Sequence, residues 1–231
     1  SEILFENFEE DGKNEEKLLD LQRINSAGKH LLSLVNDVLD ISKIESNKTE
    51  LNVEDVDLSS LASDVVTTIR PLMTKNNNKL IIDCPAELGV VRTDATKLRQ
   101  IVLNLASNAA KFTDKGNIYM HFRRDKRLGG DWIEVQVRDT GIGMNKVELG
   151  RLFQNFSQAT AETSGKFGCS GLGLAISQKL CSQLGGAITV VSEPGIGSSF
   201  NMRVPAFVDV TQVEDSAKNM SGSQSLALAA V

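Results

Sequence analysis

Three polar side chains near the middle of the sequence could do chemistry on a phosphorylated ligand. Asn104, Asn108 and Lys111 recur at helical spacing, so they share one face of a helix whose other face is apolar. An amide oxygen is a fair magnesium ligand when phosphates and water supply the remaining positions, and a lysine can offset phosphate charge. A solvated helix face would carry the same residue types, and from these residues alone both interpretations stay open.

Two glycine-containing segments follow. Asp139-Thr140-Gly141-Ile142-Gly143 comes directly after an alternating segment. Its glycines would let the backbone approach a planar ligand, and its aspartate could accept from an exocyclic amine such as that of adenine, although an ordinary turn has the same composition. The second segment, residues 165–174, opens a helix whose free N–H groups and dipole would favour phosphate. A flexible loop before an ordinary helix is the alternative.

The apolar pattern predicts the elements that position these residues. Asp57 and Asp94 are each expected to cap a helix. Apolar residues at helical spacing predict the inward faces of the two helices, namely Leu58, Leu61, Val65, Ile69 and Leu72 in the first and Leu98, Ile101, Val102, Leu105, Ala109 and Phe112 in the second. A further helix is predicted from Gly171 to Leu184. Strands are predicted near residues 80–82, 118–122, 132–137, 188 and 200, the second and third as a hairpin. Such segments assemble into an α/β sandwich.

The first part of the chain has the pattern of a helical bundle. Apolar or small residues recur with 4-3-4-3 spacing, at Ile24, Gly28, Leu31, Val35 and Val38. Neighbouring leucines and isoleucine widen the stripe beyond a two-stranded coil, which suits a four-helix bundle. The predicted organisation is therefore a helical hairpin with a truncated first arm over residues 1–47, a linker over 48–58, an α/β domain over 59–208 and a linker or disordered tail over 209–231.

Composition argues against several functions. The net charge of −5 and the lack of clustered Lys and Arg disfavour nucleic acid as a partner. Three cysteines without a CxxC pair support neither a disulfide framework nor a zinc site. Because no apolar run approaches about twenty residues, no direct membrane contact is expected, and a cytoplasmic location is predicted, while a longer parent protein could still be membrane-anchored.

Four segments together resemble a known family. They are Asn104 to Thr113 (NLASNAAKFT), Asp139 to Met144 (DTGIGM), Phe153 to Phe156 (FQNF) and Gly171 to Ile176 (GLGLAI). In this order they resemble the four motif boxes of the sensor histidine kinases of two-component systems, and the resemblance covers roughly residues 15–205.

The resemblance implies a fold and a site. The fold is α+β, a two-layer α/β sandwich of the histidine-kinase and Hsp90-like ATPase type, with about five strands backed by three helices and a helical hairpin fragment before it. Asn108 would bind Mg²⁺, Asp139 the adenine amine of ATP, and Lys111 a phosphate, with Asn104 beside them in the catalytic set. Residues 153–167 would form a mobile lid. The remaining nucleotide-binding positions would be Gly141, Gly143, Phe153, Lys166, Gly168, Gly171, Leu172 and Gly173.

Asn104 also bears on the reaction. Hydrolytic relatives carry a glutamate at this position, and an amide cannot take a proton from water, whereas transfer to an imidazole mainly needs positioning and charge neutralisation. The resemblance thus implies a protein-histidine kinase that passes phosphate to a response-regulator receiver domain and forms a homodimer through the hairpin. The alternatives are a degenerate nucleotide-binding signalling module and a superfamily ATPase.

The phosphoacceptor histidine of the family has no counterpart in this sequence. His30 and His121 are interpreted as structural, so the chain is expected to bind Mg-ATP without phosphorylating itself. Two positions depart from the family pattern: Cys169-Ser170 stands where Gly-Thr is commoner, and Gly165 where arginine is common.

Overall fold

The computed structural model describes residues 51–126, 130–153 and 171–208, together with positions 20–25, 27–29, 31, 32, 35, 39 and 42. The described positions before residue 43 are helical, in agreement with the prediction for this part of the chain. Several predicted features lie outside the described residues. These are His30, the bundle position Val38, the lid from residue 154 onward with Lys166 and Gly168, Cys169 and the tail from residue 209.

Two long helices begin at the predicted aspartates. Helix α1 (Leu58–Lys75) starts after Asp57, whose carboxylate accepts a 2.7 Å hydrogen bond from the backbone of Ser60. Helix α2 (Ala95–Phe112) starts after Asp94, whose carboxylate accepts from the backbone of Lys97 at 3.0 Å. Each cap satisfies a backbone donor that has no partner within its helix.

Five strands form the main sheet. They are β2 (Lys79–Asp83), β4 (Asn117–Asp125), β5 (Trp132–Asp139), β6 (Ala187–Glu193) and β7 (Gly197–Pro205), in the order β2-β4-β5-β7-β6. The pair β2 and β4 is parallel and the other pairs are antiparallel, which includes the predicted hairpin of β4 and β5. All five predicted strands are confirmed.

A second sheet of two strands was not predicted. Strand β1 (Glu54–Asp57) pairs antiparallel with β3 (Val90–Thr93). Val56 is the one buried side chain of β1, and the other three residues of this strand are acidic. Neither the composition of the strand nor an alternation of apolar and polar residues therefore predicts it. The strand lies inside the predicted linker over 48–58, and the backbone of Asn52 donates to the Asp94 carboxylate at 3.1 Å. Residues 51–58 therefore belong to the α/β domain, and the predicted boundary at residue 59 is too late.

The core lies between the helices and one face of the main sheet. Helix α4 (Gly173–Gln183) completes the helical layer with α1 and α2, while the short α3 (Lys146–Arg151) follows β5. The largest fully buried side chains are Phe122, Leu58, Ile69, Leu98, Ile101, Leu105, Ile118, Met120, Ile133, Leu172, Leu184 and Met202. Burial of each such side chain contributes about 1.5–3 kcal/mol. The predicted two-layer α+β sandwich is confirmed.

The opposite face of the sheet is polar. His121 lies on this face, where its Nδ1 is 3.2 Å from a carboxylate oxygen of Asp83 and its ring stacks on Tyr119. Arg138 lies over the same tyrosine ring. These contacts agree with the structural role predicted for His121.

Candidate functional site

The second half of α2 carries the three polar residues singled out in the sequence. Asn104, Asn108 and Lys111 are all half-buried on this helix. Among the described residues, the Asn108 amide has no hydrogen-bond partner. Its carbonyl oxygen is therefore available to a ligand or a metal ion, as an amide in a binding site must be.

Two asparagines that the sequence did not indicate, Asn76 and Asn78, hold the end of α2 in place. The Asn78 amide donates to the backbone carbonyls of Ala110 at 3.1 Å and Thr113 at 2.8 Å, and its oxygen accepts from the backbone of Gly116 at 3.1 Å. Asn76 donates to the Ala110 carbonyl at 2.7 Å. These bonds satisfy carbonyls that lack partners at the end of a helix, and so they fix the segment that carries Lys111. The run of three asparagines after α1 was the available signal.

Asp139 ends β5 and is almost fully buried, with 4% of its surface exposed. Burial raises the pKa of its carboxyl group above the ordinary value, and backbone hydrogen bonds from Gly141 and Ser198 oppose that shift. Thr113 also lies near the carboxylate and lowers this pKa, although its buried hydroxyl makes no hydrogen bond of good geometry within the described residues. Both backbone donors bond to Oδ1, at 2.8 and 3.3 Å, and no described backbone group bonds to Oδ2. One carboxylate oxygen is thus occupied by the turn and the other can serve a ligand.

The glycines after Asp139 are required by close backbone contacts. A Cβ atom on Gly141 would overlap the carbonyl oxygen of Phe112 and lie 2.8 Å from Thr113 Oγ1. Gly143 has a φ of 65°, and a Cβ atom there would overlap the carbonyl of Glu193. The Asp139 turn is therefore packed between the end of α2 and the turn that joins β6 to β7.

The first turn of α4 meets α2 from the other side. Its N-cap residue is Leu172, whose side chain makes no capping hydrogen bond to the backbone donors of the first turn. A Cβ atom on Gly173 would lie 2.6 Å from the amide oxygen of Asn104, and the Asn104 amide nitrogen donates to the hydroxyl of Ser177 at 2.8 Å. Ser177 is 1% exposed and was not identified from the sequence. Its signal was a serine at a buried position of an apolar helix.

Helix α2 thus joins several of the predicted site residues. Its end contacts the Asp139 turn, Asn104 contacts Gly173, and Asn108 and Lys111 lie on the same helix between these contacts. From Asn104 to Phe112 the helix rises about 12 Å.

Two of the predicted nucleotide-binding positions, Leu172 and Phe153, have side chains that pack in or against the core. The side chain of Leu172 is fully buried in the core, so only its backbone can contact a ligand. Phe153 is half-buried and packs against the same core. Gly171, which precedes Leu172, has a φ of 70° and thereby turns the chain into α4.

The described residues also bear on the predictions about metal ligands, membrane spans and cysteines. No three His, Cys, Asp or Glu side chains in the described ranges are grouped so as to hold a metal ion. None of the helices described there is long and apolar enough to cross a bilayer. Cys84 and Cys181 are free thiols, and burial raises the pKa of Cys181 to about 12.

Comparisons with known proteins identify the family. Residues 93–207 match the model of the histidine kinase-, DNA gyrase B-, and HSP90-like ATPase family. The chain is 35% identical over 201 residues to the sensor histidine kinase RcsC of Salmonella typhimurium, covering 87% of this chain and 21% of that protein. It is 37% identical over 197 residues to the circadian input-output histidine kinase CikA of Synechococcus elongatus, covering 84% of this chain and 26% of that protein. The chain thus spans about a fifth to a quarter of the length of these relatives.

A solved structure shares both fold and sequence. The crystal structure of full-length ShkA in complex with AMPPNP superposes with a TM-score of 0.68 and 31% identity, over 82% of this chain and 39% of that one. The α/β domain is thus a member of the histidine kinase-like ATPase family. Within that family the chain belongs with the sensor histidine kinases of two-component signalling.

Proposed function

We propose that the chain is the catalytic module of a sensor histidine kinase, which binds Mg-ATP and presents its γ-phosphate to a histidine for relay to a response-regulator aspartate. The observation that carries this proposal is the position of Asn108 and Lys111 on α2, between the Asp139 turn at its end and the first turn of α4. A planar base at one end and phosphates at the other would fit this arrangement. The ShkA complex with AMPPNP supports a nucleotide as the ligand.

The residues present fit a magnesium ion held jointly with the nucleotide. Asn108 offers an amide oxygen without a partner among the described residues, and Mg²⁺ accepts few protein ligands when phosphates and water complete its octahedron. When bound, the ion supplies neutralisation of charge on the phosphate oxygens. Lys111 adds a positive charge at the end of the same helix.

Asp139 would select the base. Its Oδ2 can accept a hydrogen bond from the exocyclic amine of adenine, while Oδ1 keeps the turn closed. Guanine presents a carbonyl oxygen at the corresponding place, which would face the carboxylate as a second acceptor. The site should therefore prefer ATP to GTP.

Transfer rather than hydrolysis is the proposed reaction. The amide of Asn104 is not a base and it bonds to Ser177, so it cannot deprotonate an attacking water. An imidazole is already a nucleophile and needs only to be positioned in line with the phosphate. The phosphorylated histidine would then donate its phosphoryl group to the aspartate of a receiver domain.

The test is a calorimetric titration with AMPPNP in the presence of Mg²⁺ or EDTA. We expect Asn108→Ala to remove most of the magnesium-dependent affinity, and Asp139→Asn to weaken binding under both conditions. Asn201→Ala, on the outer face of β7, is the matched control and should bind like the original chain. Unchanged binding in both site variants would refute the site.

An assay of phosphate release and phosphotransfer separates the alternative functions. Steady phosphate release from ATP without transfer to a histidine-containing partner domain would identify an ATPase. Absence of both reactions would identify a binding module.

We further propose that the helix described before residue 43 mediates a homodimer and that the module works in the cytoplasm, where ATP is available. Ile24, Leu31, Val35 and Leu39 are each about half to two-thirds exposed on this helix. Water contact at so many apolar positions is unfavourable, and a second copy would remove it. Sedimentation of Leu31→Glu, with Gln22→Glu as control, tests this: the first should be monomeric and the second should sediment like the original chain.

A further inference from the structure

The side chains of Asn104 and Ser177 form a direct link between the two helices of the candidate site. The amide nitrogen of Asn104 in α2 donates to the Ser177 hydroxyl in α4 at 2.8 Å, across 73 residues of sequence. Ser177 is 1% exposed and Asn104 is half-buried, so the bond is partly shielded from water. A buried hydrogen bond that joins two elements stabilises their relative position, and loss of one partner leaves the other unsatisfied.

The same asparagine also limits the approach of the α4 backbone. Its amide oxygen lies where a Cβ atom on Gly173 would be, at 2.6 Å from that ideal position. Asn104 therefore contacts α4 at two points one turn apart, the backbone of Gly173 and the hydroxyl of Ser177. Both polar ends of its amide are therefore engaged at α4, the nitrogen in a hydrogen bond and the oxygen in a close contact.

The location of the link relates it to the phosphate end of the site. Asn108 lies one helical turn beyond Asn104 on α2, and Gly173 is the first residue of α4, whose initial backbone donors receive no cap from the side chain of Leu172. A small rotation or separation of the two helices would change the distance between Asn108 and these donors. The base end depends instead on Asp139 and its turn, at the far end of α2.

We propose that Asn104 and Ser177 are positioning residues, which hold the first turn of α4 against α2 so that the metal ligand Asn108 and the phosphate-binding donors act on the same triphosphate. This inference rests on the proposed nucleotide-binding function and narrows it. It assigns Asn104, predicted from the sequence as part of the catalytic set, a role through α4 rather than in direct contact with substrate. It also assigns Ser177 a role in the binding of the nucleotide phosphates, although its side chain does not contact them.

The experiment compares two ligands in each variant by calorimetry: Mg-AMPPNP, which needs both ends of the site, and adenosine, which needs only the base end. We expect Ser177→Ala and Asn104→Ala each to weaken Mg-AMPPNP about fivefold to tenfold, the effect of one buried hydrogen bond, and to change adenosine binding less than twofold. Ser182→Ala is the matched control, because this exposed serine lies on the same helix and bonds only within it. It should leave both affinities unchanged.

The double variant Asn104→Ala with Ser177→Ala separates a link from two independent effects. If the residues act through their mutual bond, the double variant should weaken Mg-AMPPNP no more than the stronger single variant. Additive losses would overturn the proposal. Equal loss of adenosine and Mg-AMPPNP affinity, with a lowered melting temperature, would also overturn it, because it would indicate a general structural role.

Failure of the proposed function gives a different result. In that case the original chain would bind neither ligand. A chain that binds Mg-AMPPNP normally but is insensitive to Ser177→Ala would retain the nucleotide function and refute only the link.

Discussion

The side chain of Asn78 replaces the missing helical partners at the end of α2, since it donates to the carbonyl of Thr113 at 2.8 Å from a position 35 residues earlier in the chain. It also donates to the Ala110 carbonyl in the last turn of α2 and accepts from the backbone of Gly116 just before β4. One amide thus fixes both the end of the helix that carries Lys111 and the start of the next strand.

Replacement of Asn78 by alanine should therefore destabilise the domain substantially. It removes three part-buried hydrogen bonds and takes this partner from the Thr113 carbonyl and the Gly116 N–H, while Ala110 keeps its bond from Asn76, so we expect a loss of about 2–3 kcal/mol in the free energy of unfolding. Urea denaturation measures this. Asn77→Gly is the control: Asn77 is exposed with a φ of 52°, which glycine adopts without strain, so its unfolding free energy should change by less than about 0.5 kcal/mol. A similar midpoint for all three proteins would contradict the role of Asn78.

Replacement of Asp139 by asparagine should stabilise the unliganded domain while it weakens nucleotide binding. Asparagine keeps an oxygen for the Gly141 and Ser198 donors, but it places an N–H₂ group where Oδ2 would accept the adenine amine. Burial raises the pKa of Asp139, so the ionised carboxyl destabilises the fold at neutral pH. We expect the free energy of unfolding to increase by about 1 kcal/mol, which corresponds to ~2–4 °C in melting temperature. The affinity for nucleotide should fall at least about tenfold.

The pH dependence of that stabilisation has a definite sign. With a folded-state pKa above the unfolded value, Asp139 lowers stability only above the ordinary carboxyl range, and the penalty reaches its full size above the raised pKa. The difference in melting temperature between Asp139→Asn and the original chain should thus shrink as pH falls toward the ordinary aspartate value of 3.8. A difference that grew on acidification would show that burial does not dominate at this carboxyl group.

Two glycine-to-alanine changes should act in opposite directions. In Gly141→Ala the new methyl group would overlap the Phe112 carbonyl, and the displaced turn should cost at least about 2 kcal/mol and abolish nucleotide binding. Gly150 lies in α3 with open space around it, so Gly150→Ala should raise stability by about 0.5–1 kcal/mol. Differential scanning calorimetry of both proteins compares the effects. Equal tolerance of the two changes would argue against a tightly packed Asp139 turn.

The ion pair between Arg124 and Asp131 should make stability depend on acid pH. The guanidinium bonds both carboxylate oxygens, at 2.7 to 3.2 Å, and lowers the pKa of Asp131. Such a carboxylate stabilises the fold above its unfolded value near 3.8, and that contribution is lost as pH falls through the lowered folded pKa. We expect Asp131→Asn to cost about 1–2 kcal/mol at pH 7 and almost nothing at the acid end of a urea series. An equal cost at both ends would indicate that packing, not charge, is lost.

The features that could be predicted from the sequence are those whose interaction partners lie close by in the chain. Asp57 and Asp94 cap their helices through donors three residues away, and the alternation of β4 and β5 reflects the sheet faces directly. Gly141 and Gly143 could be recognised as a turn, although the backbone groups that require them come from other elements. The motif boxes then indicated a nucleotide site.

The features that were missed depend on distant partners. Asn78 and Ser177 are ordinary polar residues in sequence, and only the fold brings them to α2, across 32 to 38 and 73 residues respectively. Strand β1 has four residues with one buried side chain, so tertiary pairing with β3 rather than propensity creates it. The core position of Leu172 was missed because it stands among glycines that indicate a loop.

Ala206 and Val208 complete one edge of the small sheet formed by β1 and β3. The backbone of Arg92 in β3 donates to Ala206 at 2.8 Å and accepts from Val208 at 2.9 Å, and both of these later residues are buried. A truncation after Pro205 would keep every strand of the main sheet but expose one edge of β3 to solvent. Recombinant fragments of the α/β domain should thus extend through at least Val208, and ones that end earlier should associate through that open edge.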